Sequence, residues 1–344
     1  TAIGLGATGP GRGLDVYEYF ASYLTDLEHT SNCIRRNVYG AAVTGRRSCT
    51  GTPWPDGFIT LPDPGSGMED LVSAAVQMNS RMGDIEGNTA KILGFSAQAA
   101  SLGCDIVCFP ELSVTGYGVP GSAENACSAE DIGAILDASA DLGIAICAGM
   151  AEREGDSVYI THFAAEAGRL AGTYRKTHLG EREATVFEPG DSVEVIRTSK
   201  ARIGFQLCWE SHFPEISCML GLGGADIIYM PHASGLPPER RRSVWSTVLP
   251  ARANDNTVYV SACNLAGDGG GGTVFGGGLM SFDPRGCLLG EDHSGRESLL
   301  VTAFPSEPVE RIRGSDGGSM RNLYYLRQRR PELYGIIADP SRRP

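Results

Sequence analysis

Residues 203–215 read Ile-Gly-Phe-Gln-Leu-Cys-Trp-Glu-Ser-His-Phe-Pro-Glu, and the rest of the chain can be interpreted from this segment. An apolar, strand-like run stops abruptly at Cys208 and is followed by polar residues and by Pro214. A thiol at the end of a strand can face a cleft, where loops carry functional side chains. The segment therefore predicts a strand that presents a candidate nucleophile to a cleft.

Two upstream segments have the same form, because each places one ionisable residue where an apolar run ends. Phe109-Pro110-Glu111-Leu112 supplies a carboxylate, and Tyr174-Arg175-Lys176-Thr177-His178 supplies an amine. A free thiol with a pKa of about 8.5 is mostly protonated at neutral pH, so a nucleophilic Cys208 needs a base. Apolar neighbours raise the expected pKa of Glu111 towards the range of a general base, and Lys176 can help to ionise the thiol and stabilise an oxyanion. The three segments predict a nucleophile, a base and a cation.

The composition limits the classes of partner. The chain has 344 residues and a net charge of −12, which argues against a general binder of nucleic acid or of anionic membranes. A small molecule is the expected partner. No apolar stretch approaches the roughly 20 residues that span a bilayer, and no basic segment followed by an apolar one stands at the N-terminus. We therefore expect a soluble, unsecreted, cytoplasmic protein.

The cysteines and histidines indicate neither disulfides nor a metal. Ten cysteines are scattered along the chain without a CxxC pair, which is typical of reduced thiols. Cys218, within a helix-like run, is interpreted as a packing residue. Six histidines show no metal-ligand spacing. The glycine-rich run 267–272 lacks the Gly-Lys-Ser/Thr ending of a phosphate loop and predicts a flexible loop at a cleft rim.

The chain divides into an N-terminal extension over 1–68, a catalytic domain over 69–312 and a C-terminal tail over 313–344. From Leu71 onward short β-rich runs alternate with helical ones, which is typical of an α/β domain. The extension has one helix-like stretch, near Leu14 to Glu28, and could cover the pocket, reach across a dimer or be partly disordered. Strands are predicted over 72–78, 104–109, 144–150, 158–165, 169–176, 193–198, 202–208, 226–230, 258–264 and 274–282. Helices are predicted over 88–102, 129–142, 214–222 and 239–254.

From about residue 71 to 336 the chain resembles the nitrilase, or carbon–nitrogen hydrolase, superfamily, in its amidase-like branch. The order and spacing of several motifs carry the resemblance: Phe109-Pro110-Glu111-Leu112, Thr115-Gly116-Tyr117, Arg175-Lys176, His178-Leu179, Glu183, Phe187, Gly190, Cys208-Trp209-Glu210, Phe213-Pro214-Glu215, Gly224-Ala225-Asp226, Ala251-Arg252-Ala253, Asn256, Val258-Tyr259-Val260 and Arg330-Pro331-Glu332-Leu333-Tyr334.

The resemblance implies a four-layer α-β-β-α sandwich, one catalytic domain, no cofactor and a homodimer or larger oligomer, with the tail packing at the oligomer interface. It implies a catalytic triad of Glu111, Lys176 and Cys208, with the backbone N–H of Trp209 sharing the oxyanion. Glu183 matches the second glutamate of the family, which holds the lysine or assists proton transfer. Tyr117 lies where the family often lines its pocket, although simple packing is the alternative.

Two further features have competing interpretations. His232 follows an apolar run and is predicted to open near the same cleft, where it either binds substrate or caps its loop. Residues 239–242, Glu-Arg-Arg-Arg, are predicted to form the solvated first turn of a helix, and an arginine that reaches an acidic substrate is the alternative.

The substrate follows from the resemblance only in outline. Branches that hydrolyse N-carbamoyl amino acids carry arginine shortly after the cysteine, whereas this chain has Ser211-His212, which argues against such substrates. Hydrolysis of a small-molecule amide through a thioester is the first expectation. A nitrile is the close alternative, acyl transfer to an amine is another, and the intact triad argues against a catalytically silent scaffold.

Overall fold

The first sheet begins where the sequence first alternates in the manner of a strand, at Leu71. The computed structural model describes residues 67–119, 121–315 and 319–342, so the extension, with its helix-like stretch near Leu14 to Glu28, lies almost wholly outside them. Within the described residues the first sheet has six strands in the order β14-β1-β2-β3-β4-β5. These strands are β1 (Leu71–Gln77), β2 (Ile106–Cys108), β3 (Ala145–Glu154), β4 (Ser157–Glu166), β5 (Arg169–Arg175) and β14 (Ser298–Phe304).

The second sheet has the same number of strands, in the order β13-β12-β9-β8-β7-β6. Its strands are β6 (Ile196–Arg197), β7 (Arg202–Phe205), β8 (Ile227–His232), β9 (Tyr259–Asn264), β12 (Leu279–Phe282) and β13 (Leu288–Asp292). A two-stranded sheet, β10 (Ala266–Asp268) and β11 (Val274–Gly276), is separate from both. In each large sheet the central strands are parallel, namely β1-β2-β3 and β7-β8-β9, and the outer strands are antiparallel.

Helices cover the outer face of each sheet. The helices of the described residues are α1 (Ile85–Ser101), α2 (Gly121–Glu124), α3 (Gly133–Leu142), α4 (Pro214–Leu222), α5 (Pro238–Asn256), α6 (Glu307–Gly314) and α7 (Gly335–Ala338). Those on the outer faces are α1 and α3 at the first sheet and α4 and α5 at the second. Asp84 caps α1 by accepting a hydrogen bond from Gly87 N at 3.0 Å. Gly143 ends α3 in the left-handed conformation, with φ 66°, which a glycine adopts without steric cost.

Three buried clusters separate four layers. Ile92 of α1 and Ile135 of α3 pack against the first sheet, and Leu220 of α4 and Trp245 of α5 pack against the second. The third cluster lies between the sheets and contains, among others, Cys108, Cys147, Phe205, Tyr229 and Cys263. Successive residues of a strand face opposite sides, so each sheet contributes to two clusters. The predicted α-β-β-α sandwich is confirmed.

One predicted strand is divided between two sheets in the structure. A single strand was predicted over 274–282, but the segment forms β11 and β12 in different sheets. Gly277 and Gly278 separate them with φ of 69° and 127°, and a Cβ at Gly277 would collide with Gln77 Oε1. Side chains rarely adopt such backbone angles, so the glycines allow the chain to change sheets. The predicted helix over 129–142 begins as a 3₁₀ turn, Ala129–Ile132, before α3.

The tail continues from α6, which contains the predicted boundary at 312. Leu326, in the 3₁₀ turn Tyr325–Gln328, is buried, and a Cβ at Gly221 of α4 would lie 2.9 Å from its Cδ1. The role of the tail in an oligomer stays a prediction. Within residues 67–119, 121–315 and 319–342 no helix combines the length and the apolar character needed to cross a bilayer. All eight cysteines of these ranges are free thiols.

Candidate active site

A buried lysine between two glutamates forms the charged centre of the candidate site. Lys176 Nζ lies 2.8 Å from Glu111 Oε1, and 3.0 and 2.9 Å from Glu183 Oε1 and Oε2. Lys176 and Glu111 have no exposed surface, and Glu183 is 6% exposed. Buried charges persist when they are paired and hydrogen-bonded, as these three are.

The first sheet holds all three residues. Glu111 follows the carboxyl end of β2, and Lys176 is the residue after β5, where its N–H donates to Ile160 O at 2.8 Å and its carbonyl accepts from Gly190 N at 2.8 Å. Glu183 begins a 3₁₀ turn, and its Oε2 accepts from Gly180 N at 2.8 Å. The backbone therefore fixes the lysine and its second glutamate independently of any substrate.

Burial raises the pKa of Glu111 to about 7; the nearby charge of Lys176 opposes this shift and that of Glu183 adds to it. Glu111 Oε2 is buried and has no hydrogen-bond partner among the described residues. For Lys176, burial works against the charged form, but Glu111 and Glu183 outweigh it and hold its pKa well above the usual value. At neutral pH the lysine is therefore protonated while Glu111 can exchange a proton.

Cys208 lies on a strained turn between β7 and α4. It begins the 3₁₀ turn Cys208–His212, and its φ of 40° is in the left-handed region, which costs a non-glycine residue on the order of 1–2 kcal/mol. Ser211 Oγ donates to Cys208 O at 2.8 Å and tightens the turn. Cys208 as a residue is partly accessible, whereas Leu207 before it is buried. The turn thus presents the thiol at the edge of the second sheet.

Burial raises the pKa of the Cys208 thiol to about 12; the charge of Glu111 adds to this shift, and those of Lys176 and Arg241 oppose it. The thiol is therefore protonated at neutral pH. The structure brings Glu111, Lys176 and Glu183 into direct contact and places Cys208 within range of their charges.

Glu210 connects the two sheets at this site, and the sequence assigned it no role. Its Oε1 accepts from Tyr174 Oη at 2.7 Å, from Thr177 N at 2.8 Å and Oγ1 at 2.7 Å, and from His178 N at 3.1 Å, while its Oε2 accepts from Leu207 N at 2.8 Å. The carboxylate is fully buried. It joins the loop that carries Lys176 to the turn that carries Cys208. A carboxylate two residues after the end of the predicted strand 202–208 was the available signal, because a buried charge needs partners.

The family model for carbon-nitrogen hydrolases matches residues 73–313. The chain belongs to this family. A nitrilase from Pyrococcus abyssi is 32% identical over 265 residues, which cover 74% of this chain and 98% of the relative. An (R)-stereoselective amidase from a Pseudomonas species is 30% identical and aligns with 76% of this chain and 92% of its own length.

Solved structures agree with this assignment. A variant of the amidase from Nesterenkonia sp. AN1, in complex with butyramide, is similar with a TM-score of 0.66 and 27% identity, covering 78% of this chain and 97% of that one. Another variant of that amidase carries the acetamide moiety of fluoroacetamide covalently at its active-site cysteine. The present chain is a hydrolase of carbon–nitrogen bonds other than peptide bonds.

The predicted substrate-binding residues of this carbon–nitrogen hydrolase lie in different settings. Tyr117 Oη donates to Glu183 Oε1 at 3.2 Å, and its ring meets Phe275 edge-on at 6.2 Å. The glycine-rich run 267–272 packs beside it, since a Cβ at Gly271 would lie 2.9 Å from Tyr117 O. Trp209, next to Cys208, is 49% exposed.

His232 is buried at the end of β8, and both of its ring nitrogens are engaged. Its Nδ1 lies 2.8 Å from Met230 O, and its Nε2 accepts a hydrogen bond from Trp245 Nε1 at 3.1 Å. Burial, together with the charge of Arg241, holds the pKa of His232 well below its usual value. The neutral ring is therefore fixed within the wall behind the site. Elsewhere in the described ranges, no group of three or more His, Cys, Asp or Glu side chains could hold a metal ion.

Proposed function

We propose that the protein hydrolyses the amide bond of a small molecule to a carboxylic acid and ammonia or an amine, through a thioester on Cys208. The observation that supports this proposal is the buried Lys176, held between Glu111 and Glu183 beside the strained turn of Cys208. A cation, a base and a nucleophile are fixed before the substrate arrives, and such preorganisation lowers the barrier to acyl transfer.

Glu111 acts as the general base in the first step. Its Oε2, which has no other partner in the described structure, takes the thiol proton as the sulfur of Cys208 attacks the amide carbon. A carbon–sulfur bond forms, and the electron pair of the carbonyl π bond moves to oxygen. Lys176 Nζ and the backbone N–H of Trp209 donate to this oxyanion. Burial raises the pKa of the thiol, which favours proton removal by Glu111 together with the attack.

Collapse of the tetrahedral intermediate then breaks the carbon–nitrogen bond. Glu111 returns its proton to the leaving nitrogen, so ammonia or an amine departs as a neutral molecule and a thioester remains. Glu111, ionised again, takes a proton from water as the water oxygen attacks the thioester carbon. Collapse of this second intermediate releases the carboxylic acid, and Cys208 leaves as a thiolate that recovers its proton.

The remaining residues support these steps. Glu183 keeps Lys176 charged and in place, and Tyr117 holds Glu183 by its hydroxyl group. Trp209 offers its exposed ring to the substrate at the cleft rim. His232 contributes to the pocket through Trp245, because neither of its ring nitrogens is free for a substrate.

Ammonia release from short straight-chain amides and from the matching nitriles tests the proposal. With the best amide, Cys208→Ala is expected to lose at least about 10⁴-fold in kcat/KM, because the covalent route is removed. Cys218→Ala is the matched control, since Cys218 is a partly buried thiol on α4 outside the site, and it should retain activity within about twofold.

Three outcomes would contradict the proposal. Ammonia release that persists in Cys208→Ala would exclude the thioester. Nitriles consumed faster than every amide would make the protein a nitrilase. A wild-type protein that releases no ammonia from any compound, yet binds them, would indicate a silent scaffold.

A further inference from the structure

A buried arginine lies beside the candidate active site, and no carboxylate of the described residues pairs with it. Arg241 is in the first turn of α5 and is only 5% exposed, whereas its neighbour Arg242 lies on the surface and pairs with Glu291 at 2.8 Å. The sequence predicted a solvated first turn for both. The two arginines therefore share a helix turn but not an environment.

Within the residues that the structure describes, Arg241 has no ion pair and no side-chain hydrogen bond, and its buried Nε finds no acceptor. The guanidinium carbon lies 5.2 Å from the centre of the Trp245 ring, which holds it by a cation–π contact. Trp245 is in turn fixed by its hydrogen bond to His232. Burial of an unpaired cation is costly, so this position is prepared for an anion from outside the described chain.

The fold places Arg241 and Cys208 after neighbouring strands of the second sheet. Strands β7 and β8 are parallel neighbours, so their carboxyl ends lie at one edge, where Cys208 follows β7 and α5 begins shortly after β8. Ligands of parallel sheets bind outside the carboxyl ends of the strands. The charge of Arg241 reaches the thiol and lowers the pKa of Cys208 against the effect of burial.

The other ionisable groups nearby do not neutralise Arg241. His232 is neutral and already hydrogen-bonded. Glu291 forms a salt bridge with Arg242, and its Oε2 lies 3.5 Å from His293 Nε2. Gly278 closes the other side, because a Cβ there would lie 3.2 Å from Arg241 Cγ. The guanidinium is therefore positioned by packing, and its charge is not used within the described protein.

We propose that Arg241 binds a carboxylate of the substrate, so that the preferred substrates are amides bearing a second, negatively charged group. This inference rests on the proposed amide hydrolysis. A planar guanidinium can hold a carboxylate through two parallel hydrogen bonds, which gives both orientation and affinity. Ser211-His212 after the nucleophile provide no such cation, and the arginine on α5 supplies it from a different element.

The test compares three series of amides of increasing chain length, which end in a carboxylate, in an isosteric neutral carboxamide or in an amine. At its best length, the carboxylate series should exceed the neutral series at least about tenfold in kcat/KM with the wild type, and the amine series should be the poorest. Arg241→Met should abolish the preference. Arg242→Met, which removes the exposed neighbour, should retain it.

Two results would overturn the inference: a wild-type preference near unity, or a loss in Arg241→Met that is equal for charged and neutral amides. The second would mean that the arginine acts on the thiol alone. If Arg241→Met does not fold, Arg241→Lys is compared with Arg242→Lys, and an unchanged preference in Arg241→Lys would also overturn it, because an ammonium lacks the planar fork. A wild type that hydrolyses no amide would contradict the proposed function instead.

Discussion

The edges of the two sheets contribute opposite kinds of group to the site. The first sheet supplies Glu111, Lys176 and Glu183, whose charges largely satisfy one another. The second sheet supplies Cys208 on a strained turn and Arg241 without a carboxylate. The charges of the first edge are therefore paired in the free protein, with Glu111 Oε2 left open, whereas the guanidinium of the second edge meets no carboxylate of the described residues.

In the proposed reaction, the first edge carries the preorganised charges and the second edge carries the groups that contact the substrate. Groups that must stabilise charge during the reaction are held by one another before it starts, which costs nothing at the moment of reaction. Groups that must meet the substrate cannot be satisfied by the protein. Glu210 connects the two edges. A substitution at Glu210 should therefore shift one edge relative to the other without removing a reacting group.

Removal of the cation at the first edge should have the largest effect. Lys176→Met leaves Glu111 and Glu183 facing each other without a positive charge, and we expect about a 10²- to 10³-fold fall in kcat, because an oxyanion donor is lost. The free energy of unfolding at neutral pH should fall by about 3–5 kcal/mol, as for other broken buried pairs. Steady-state kinetics and urea unfolding measure the two quantities.

Lys200→Met is the control for that substitution, because Lys200 pairs with Glu69 on the surface at 2.7 Å. A surface pair contributes on the order of 0–1 kcal/mol, so both quantities should stay close to those of the wild type. Equal behaviour of the two variants would show that the first edge is not the charged centre of the reaction.

The pH dependence tests the base at the same edge. Since the pKa of Glu111 is raised to about 7 and its ionised form accepts the proton, kcat/KM should rise about tenfold per pH unit below that value and level off above it. The rise should follow the carboxyl group and not the thiol, whose pKa is about 12. A rate that is constant from about pH 5 to 8 would contradict this assignment.

The same titration affects folding with a definite sign. The folded-state pKa of Glu111 lies above its unfolded value, so the proton favours the folded state, and this stabilisation is lost as pH rises through about 7. Between the ordinary pKa of 4.5 and about 7, the unfolding free energy of the wild type should therefore fall relative to that of Glu111→Gln. An unchanged difference between the two proteins across the interval would indicate that the group does not titrate there.

A smaller effect is expected from the residue that joins the edges. Glu210→Gln replaces one acceptor oxygen by a donor, so kcat should fall about tenfold and the unfolding free energy by about 1–3 kcal/mol. The rate at which iodoacetamide alkylates Cys208 should change in parallel, because the turn moves relative to Lys176.

Asp226→Asn is the matched control for Glu210→Gln. Asp226 is an equally buried carboxylate at the opposite end of β8, where it accepts hydrogen bonds from Arg202 and Arg313. Its loss should destabilise the fold by a similar amount while kcat and the alkylation rate stay within about twofold. If kcat fell equally in both variants, Glu210 would be a structural residue and not a positioning residue.

The sequence indicated the site residues that follow directly after predicted strands. Cys208, Glu111 and Lys176 each stand where an apolar run stops, Glu111 and Lys176 after strands of the first sheet and Cys208 after a strand of the second. The four-layer fold was implied by the family resemblance and confirmed. Strands β10, β13 and β14 were not predicted: β10 and β13 bury few side chains, and β14 pairs with β1, which is distant in sequence.

Contacts between distant elements were harder to predict. The partners of Glu210 come from β5, the loop after it and the segment after β7, so its role depends on the packing of both sheets. Arg241 could have been found by helical phase, since Arg241, Trp245, Leu249 and Ala253 recur every four residues and are all buried on one face of α5. Nothing else in the run of three adjacent arginines indicated which of them is buried.

Acyl transfer to Cys208 is the central claim, and mass spectrometry of the acid-quenched enzyme during turnover of its best amide tests it most directly. We predict that the peptide containing Cys208 gains the mass of the substrate less that of its amine or ammonia, and that hydroxylamine removes the added group, as it does a thioester. Sustained turnover with that peptide unmodified, or with the acyl group on another residue, would contradict the account.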